Sequence, residues 1–175
     1  NLPQLGDEAY NLWQALESAE PLGPVPAKPG GVAVWSPGRC SGPLLGGCMA
    51  LVCSLLGTEY QPDFDGAILL LEDVGEDPYR VDRMFNHLRL AGILEQISGL
   101  ALGRFRGCFT QTTAADSFTL EEIVRDHLEG LQIPVVANLP YGHYRTRVVL
   151  PLGVGAVLDT RARNLQISES AFSTH

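Results

Sequence analysis

The stretch Gly66-Ala-Ile-Leu-Leu-Leu-Glu-Asp-Val carries the clearest strand signal in the chain. Residues 67–71 form an uninterrupted apolar run of buried-strand length, and the run ends on two adjacent carboxylates, Glu72 and Asp73. Because ligands of α/β proteins bind beyond the carboxyl ends of strands, these two acids are candidates for a functional site. A strand that runs into a solvated loop would show the same pattern, so the rest of the sequence has to distinguish the two interpretations.

Length and composition indicate one globular domain. The chain has 175 residues, of which 45% are hydrophobic and 18% charged, as in ordinary α/β domains. Its net charge is −8, its pI is near 4.9 and Lys28 is its single lysine, so we expect neither nucleic acid nor a membrane as a partner. No apolar run is long enough to cross a bilayer, and the N-terminus lacks a signal-peptide pattern. These features predict a cytoplasmic protein.

The four cysteines match no metal-binding pattern. They are Cys40, Cys48, Cys53 and Cys108, and three of them lie in or beside one apolar segment. We therefore expect reduced thiols in or near the core rather than a disulfide framework. The sequence also lacks Walker, G-x-G-x-x-G, H-E-x-x-H and EF-hand motifs, which predicts that the protein uses neither a metal nor a cofactor.

Helical periodicity and capping residues predict the helices, and apolar or alternating runs predict the strands. The predicted helices are 7–18, 48–56, 79–90 and 120–128. The predicted strands are 32–35, 67–71, 100–105, 133–138, 148–153, 155–159 and 164–170. Residues 20–31 contain four prolines and three glycines, which predicts a loop without a helix or a central strand. Alternating strands and helices followed by strands alone predict an α/β fold with a mixed sheet.

The predicted helices differ in the surface that they bury. Helix 48–56 is apolar around nearly its whole circumference, which predicts burial on nearly all sides. The Gly46-Gly47 pair before it would allow another backbone or a ligand to approach closely. Helix 120–128 has Thr119 or Ser117 as its N-cap, followed by acidic residues in its first turn. Helix 7–18 is amphipathic, with an apolar side made of Tyr10, Leu12, Trp13 and Leu16.

One of the four histidines is a candidate general base. His143 lies in Asn138-Leu-Pro-Tyr-Gly-His-Tyr-Arg, shortly after a predicted strand, where Pro140 and Gly142 restrict the loop. A histidine fixed in this way at a strand end is placed for acid–base chemistry. For the other three we expect helix-face positions with solvent or backbone partners, or a chain terminus: His87, His127 and His175.

A base needs an acceptor that orients its second ring nitrogen, and a carboxylate does this well. Glu72 is the natural partner of His143 if their strands run in the same direction, and Asp73 competes with it on spacing. A nucleophile is harder to assign, because the chain contains no G-x-S-x-G elbow. Cys40 and Cys108 lack an activating setting. Cap, turn or core roles account for the serines considered, which are Ser36, Ser41, Ser54, Ser98 and Ser117.

Taken in order along the chain, the motifs resemble the C-terminal half of the LD-carboxypeptidase family of serine peptidases. The resemblance extends from about residue 5 to residue 170 and depends on the combination of motifs. These are Gly57-Thr58, residues 66–74 with Glu76, Pro78-Tyr-Arg-Val-Asp-Arg-Met, Gly92, Leu102-Gly-Arg-Phe, Pro134-Val-Val-Ala-Asn-Leu-Pro-Tyr-Gly-His, Leu150-Pro-Leu-Gly and Leu158-Asp.

The resemblance implies a function and a site. Members of the family remove the terminal D-alanine from cytoplasmic murein tetrapeptides during cell-wall recycling, with a Ser–His–Glu triad. Their Glu matches Glu72 and their His matches His143, 143 − 72 = 71 residues apart. Their serine belongs to an N-terminal flavodoxin-like domain, and their C-terminal domain has a swivelling β/β/α fold. Residues 1–175 would then be one domain, inactive alone, whose partners are a murein peptide, its own N-terminal domain and a second copy in a homodimer.

One departure from the family and two rival hypotheses complete the expectations. The chain has Gly46-Gly47-Cys48 where the family usually has Gly-Gly-Asn, so a thiol replaces an amide near the site. A sister branch of the family inactivates peptide–nucleotide antibiotics of the microcin C type, which would require an aromatic side chain for stacking, such as Trp35, Tyr141 or Tyr144. The other rival is a non-catalytic interaction module.

Overall fold

The computed structural model describes residues 7–27, 30–109, 117–143 and 148–172. The helices in these ranges are α1 (Asp7–Glu17), α2 (Met49–Leu55), α3 (Pro78–Leu90), α4 (Ile93–Gln96) and α5 (Leu120–His127). The strands are β1 (Gly23–Pro24), β2 (Ala33–Ser36), β3 (Arg39–Cys48), β4 (Ile68–Val74), β5 (Gly99–Arg106), β6 (Val135–Ala137), β7 (Gly155–Asp159) and β8 (Asn164–Ile167).

The eight strands form one mixed sheet in the order β1-β8-β7-β3-β4-β5-β6-β2. The neighbours β3, β4, β5 and β6 are parallel, whereas the strands outside them pair antiparallel. The carboxyl ends of β4, β5 and β6 therefore lie at the same edge of the sheet, which is the edge where α/β proteins bind ligands. The expected α/β class with a mixed sheet is confirmed.

The side chains of β4 alternate between two hydrophobic cores. Leu69 and Leu71 join the core under the helices, whereas Ile68 and Leu70 join the core on the opposite face. All four are completely buried, as expected for a central strand that is covered on both faces. The strand continues through both carboxylates to Val74.

The helix predicted after Gly46-Gly47 begins at Met49, but residues 39–48 form β3, which the sequence did not reveal. The reason is its high content of small residues, which is typical of neither strand nor helix. A side chain at Gly46 would overlap the carbonyl oxygen of Leu70 in β4, and one at Gly42 would overlap the carbonyl oxygen of Gly66. The glycines are therefore required by the close approach of two backbones.

Other expectations need smaller corrections. Helix α2 is not buried on nearly all sides, since Leu51 and Ser54 are exposed while Val52 and Cys53 are buried. Residues 148–153 form no strand, and β7 pairs with β3 and β8 instead. The short helix α4 was not predicted.

The remaining elements agree with the sequence. Helix α1 forms, although the described part of its apolar side, Leu12, Trp13 and Leu16, is exposed. Among the described residues of the Pro/Gly-rich segment, only the two-residue strand β1 is regular, and it lies at the edge of the sheet. Thr119, rather than Ser117, caps α5 in a capping box with Glu122. Among the described residues, no helix is long and apolar enough to span a bilayer.

Candidate active site

Glu72 lies near the carboxyl end of the central strand β4. In the parallel ladder it pairs with Cys48, the last residue of β3. On the other side the β4–β5 register shifts between Leu71 and Asp73, so that Glu72 sits at an irregularity of the ladder. Its carboxylate is buried although it follows a wholly apolar run, which is costly unless hydrogen bonds satisfy it.

The loop after β6 brings His143 to this carboxylate. Asn138 takes a left-handed conformation, with φ of 67°, and redirects the chain at the end of the strand. The loop then crosses β5, where Leu139 donates from its N–H to Leu102 O and Arg104 donates to Tyr141 O. Because β5 separates β4 from β6, this crossing allows the histidine to reach Glu72.

Glu72 holds His143 through one oxygen. Its Oε2 lies 2.9 Å from the ring Nδ1 and accepts the backbone N–H of His143 at 3.1 Å. The histidine side chain is 54% exposed, whereas that of the glutamate is 4% exposed. A carboxylate at Nδ1 favours the tautomer that donates from this nitrogen, which leaves Nε2 to accept a proton.

Two glycines make room for the pair. A Cβ at Gly142 would lie 2.5 Å from Glu72 Oε2, and a Cβ at Gly103 would lie 2.5 Å from the carbonyl oxygen of Tyr141 and 3.0 Å from Glu72 Cβ. Gly142 also has a φ of 115°, which disfavours any side chain. Gly103 was not singled out from the sequence, although a glycine inside an apolar strand is a known signal of close backbone approach.

Asp73 does not share the role of Glu72. Its side chain accepts the N–H of Ala50 at 3.0 Å and that of Val74 at 2.8 Å, and the thiol of Cys48 lies 3.8 Å away. It thus fixes the first turn of α2 to β4. Of the two acids between which the sequence left the choice open, Glu72 is the one that His143 contacts among the described residues.

Tyr141 and Cys48 lie beside the carboxylate. Burial is the main cause that raises the pKa of the Tyr141 phenol, and the negative charge of Glu72 adds to it. Burial likewise raises the pKa of the Cys48 thiol, with smaller contributions from the charges of Asp73 and Glu72. Both side chains are therefore neutral near pH 7 and are suited to hydrogen bonding or packing.

The other cysteines and the candidate serines have structural surroundings. Burial raises the pKa values of Cys40 and Cys108, which disfavours the thiolate that a nucleophile needs. Ser54 donates to Leu51 O, and Ser98 donates to Ala67 O. Ser36, Ser41 and Ser117 lie in β2, in β3 and just before α5.

The remaining histidines have other surroundings. His127 is buried with its Nε2 2.8 Å from Asp82 Oδ1, so the expected solvent or backbone partner is wrong; the partner is a carboxylate on α3. His87 is exposed on α3, as expected, and His175 lies outside the described residues. Among the described residues no three metal-ligating side chains come together.

Arg106, the last residue of β5, was not considered in the sequence interpretation. Its Nη1 lies 3.5 Å from the carbonyl oxygen of His143, so it contacts the loop that carries the imidazole. No sequence signal distinguished it from the other exposed arginines, because its position follows from the register of β5 against β4.

An exposed imidazole held through Nδ1 by a buried carboxylate, at the carboxyl edge of parallel strands, is the arrangement by which many hydrolases orient a general base. Comparison with known proteins identifies the family. The LD-carboxypeptidase C-terminal domain matches residues 41–158. The chain belongs to this family.

Individual relatives agree with this assignment. A carboxypeptidase-like protein of Synechocystis sp. is 46% identical over 131 residues, covering 75% of this chain and 43% of the relative. The crystal structure of muramoyltetrapeptide carboxypeptidase from Oxalobacter formigenes is 30% identical with a TM-score of 0.79, covering 97% of this chain and 57% of that one.

A second branch is also similar. Structures of the microcin C7 self-immunity protein MccF are 29% identical with a TM-score of 0.73, covering 81% of this chain and 42% of theirs. The chain spans less than half of the length of the curated relatives it matches, 43% of the Synechocystis protein and 41% of Escherichia coli MccF.

Proposed function

We propose that this chain supplies the general base and its orienting acid to a serine-type LD-carboxypeptidase that removes the terminal D-alanine of murein tetrapeptide in peptidoglycan recycling. His143 is the base, Glu72 orients it, and the nucleophilic serine belongs to a second domain. The observation that carries the proposal is the 2.9 Å contact between Nδ1 of the exposed imidazole and Oε2 of the buried carboxylate. Membership of the LD-carboxypeptidase family supplies the reaction class.

The chemistry follows from the free ring nitrogen. Nε2 of His143 takes the proton of the serine hydroxyl as the serine oxygen attacks the carbonyl of the diamino acid residue. Glu72 stabilises the resulting imidazolium. The C–N bond to D-alanine breaks, and the imidazolium returns the proton to the leaving amine. Water then attacks the acyl-enzyme, with His143 taking its proton and returning it to the serine oxygen.

The burial of Glu72 argues against a purely structural role for the pair. A buried carboxylate has a desolvation cost that an apolar residue would avoid. Here two hydrogen bonds from one histidine offset that cost, yet the histidine itself stays exposed and adds little packing. A non-catalytic interaction module would gain nothing from this arrangement, whereas a base requires it.

The murein substrate is favoured over a peptide–nucleotide conjugate by the surroundings of the aromatic residues. Trp35 packs against the core under the helices, and Tyr141 packs against the core on the opposite face. Each ring is partly buried, so its contacts with the core reduce the area left for stacking on a nucleobase. Tyr144, the third aromatic candidate, lies outside the described residues.

The test is an assay of the complete protein that contains this chain. Purified protein is incubated with murein tetrapeptide and, separately, with a peptide–nucleotide conjugate of the microcin C type, and the products are quantified. We expect release of D-alanine and slower turnover of the conjugate, and no release by the 175-residue chain alone. Absence of D-alanine release by the complete protein would refute the proposal, and faster turnover of the conjugate would move it to the sister branch.

A further inference from the structure

Arg106 projects from the edge of the sheet at which Glu72 and His143 meet. In the β4–β5 ladder it pairs with Val74, which lies two residues beyond Glu72. Because side chains alternate along a strand, Val74 and Glu72 share a face, and Arg106 belongs to the same face one strand away. The guanidinium is exposed and contacts the loop of the base through the carbonyl oxygen of His143.

Most of the guanidinium's hydrogen-bonding capacity is unused within the described part of the chain. It has five N–H donors, and its side-chain contact to His143 O is long, at 3.5 Å. Neighbouring arginines are engaged differently: Arg104 bonds Asn138, while Arg80 pairs with acids at the start of α3. No salt bridge among the described residues involves Arg106.

The site needs such a cation if its substrate carries a free terminal carboxylate. The leaving residue of a carboxypeptidase substrate places this carboxylate within a few bonds of the scissile carbonyl, and therefore near His143. The negative charges of Glu72 and Asp73 lie close to this position and would repel it. An arginine fork binds a carboxylate with two parallel hydrogen bonds, which adds orientation as well as charge compensation.

We propose that Arg106 determines specificity by binding the terminal carboxylate of the leaving residue. This inference rests on the proposed function and adds the substrate group that the enzyme recognises, which is the C-terminal carboxylate. The substrate class it defines is peptides with a free C-terminal α-carboxylate, and peptides with an amidated C-terminus are excluded. Arg106 takes no part in proton transfer, so its effect depends on the charge of the substrate terminus.

The test compares two substrates with the same scissile bond. The complete protein is assayed for kcat/KM on murein tetrapeptide and on the same peptide ending in D-alaninamide. The wild-type protein should prefer the carboxylate by about 10- to 100-fold, the usual range for hydrogen bonds to charged groups. In Arg106→Gln, kcat/KM should fall for the carboxylate substrate alone, so that the preference is lost. Arg106→Lys should retain part of the preference.

A matched control is Arg39→Gln. Arg39 is an exposed arginine that pairs with Asp159 and lies at the end of β3 away from the site. The substitution should leave both kcat/KM values unchanged. If Arg106→Gln keeps the preference for the carboxylate substrate, the inference is overturned. Equal loss of kcat/KM on both substrates would also overturn it, because that result would mean only that the loop of His143 has moved. Wild-type protein that cleaves both substrates equally would overturn it too. Wild-type protein that cleaves neither would instead refute the proposed function, and the inference with it.

Discussion

Two histidine–carboxylate pairs of nearly equal length and opposite burial occur among the described residues. Nδ1 of His143 lies 2.9 Å from Glu72, and that pair buries its acid (4% exposed) while exposing its ring (54%). Nε2 of His127 lies 2.8 Å from Asp82, and that pair buries its ring (6%) while exposing its acid (51%).

The difference shows that the partner facing solvent determines what each pair can do. Because Glu72 occupies Nδ1, the outer nitrogen Nε2 of His143 can reach a reactant. His127 has committed Nε2 to its acid, its ring stacks on Phe85, and its Nδ1 has no hydrogen-bond partner in the described structure. The second pair therefore connects α3 to α5, while the first is available for chemistry.

The largest expected effect comes from removing the exposed ring. His143→Ala should lower kcat for D-alanine release by the complete protein about 10⁴- to 10⁶-fold, because no base remains to take the serine proton. The variant should also unfold at a lower temperature, because the buried Glu72 carboxylate keeps only the backbone N–H of residue 143 as a partner, so kcat is measured well below the unfolding temperature. A loss of less than tenfold in kcat would show that the two pairs are not functionally different.

Glu72→Gln should lower kcat about 10⁴-fold, because a neutral amide neither fixes the productive tautomer nor stabilises the imidazolium. Steady-state kinetics measures the loss. Asp73→Asn is the matched control, since this adjacent buried carboxylate bonds the start of α2 and should affect stability more than kcat. Equal losses of kcat in the two variants would contradict the assignment of Glu72.

Gly142→Ala should lower kcat about 10²-fold, because the new methyl group displaces the Glu72 carboxylate and misaligns the base. Gly130→Ala controls for backbone strain: its φ of 85° is also positive, but nothing lies within 4 Å of the added Cβ. We expect this control to lose stability and keep its activity. Wild-type kcat in Gly142→Ala would mean that the glycine is not needed for alignment.

Substitutions in the pair of His127 and Asp82 should change stability and leave kcat unchanged. His127→Ala should lower the free energy of unfolding by about 1–3 kcal/mol, through lost packing on Phe85 and a lost hydrogen bond, without changing kcat. Asp82→Ala should lower the free energy of unfolding by less than His127→Ala does, because the acid is half exposed. Urea unfolding of both variants measures the free energies. A lower kcat in His127→Ala with unchanged stability would show that the buried pair, too, takes part in catalysis.

The smallest effects concern the thiols, which belong to neither pair. Cys40→Ala and Cys108→Ala should keep wild-type kcat, since burial raises both pKa values. Burial raises the pKa of Cys53 to about 11, so iodoacetamide labelling of this residue in the folded protein should increase about tenfold per pH unit between pH 8 and pH 10. Rapid labelling of Cys53 at pH 7 would contradict the burial.

Much of the site could be predicted because its signals are local. The apolar run ending at Glu72 and the Pro- and Gly-restricted loop at His143 each mark a strand end, and parallel strands place such ends at one edge. The residues alone did not show whether Glu72 or Asp73 is the partner of His143. That choice required the structure or the family resemblance. Glu72 continues the face of Ile68 and Leu70, but the sequence does not show which face of β4 the loop of His143 covers.

The elements that could not be predicted depend on contacts between distant residues. β3 was missed because glycine and proline replace the usual strand formers. The sequence suggested close backbone approach at Gly46, but not that the neighbour would be a parallel strand. The acid bonded to His127 lies 45 positions earlier in the chain, so helical periodicity alone could not reveal it. Arg106 likewise acquires its position from the pairing of two strands.

The most direct test of the account is labelling of the complete protein with a fluorophosphonate, which reacts with serines activated by a base. Mass spectrometry then locates the label. The account predicts one labelled serine outside these 175 residues, with labelling lost in His143→Ala and retained in His127→Ala. Label on a serine within the 175 residues, or unchanged labelling in His143→Ala, would contradict the claim that this chain provides the base for a nucleophile on another domain.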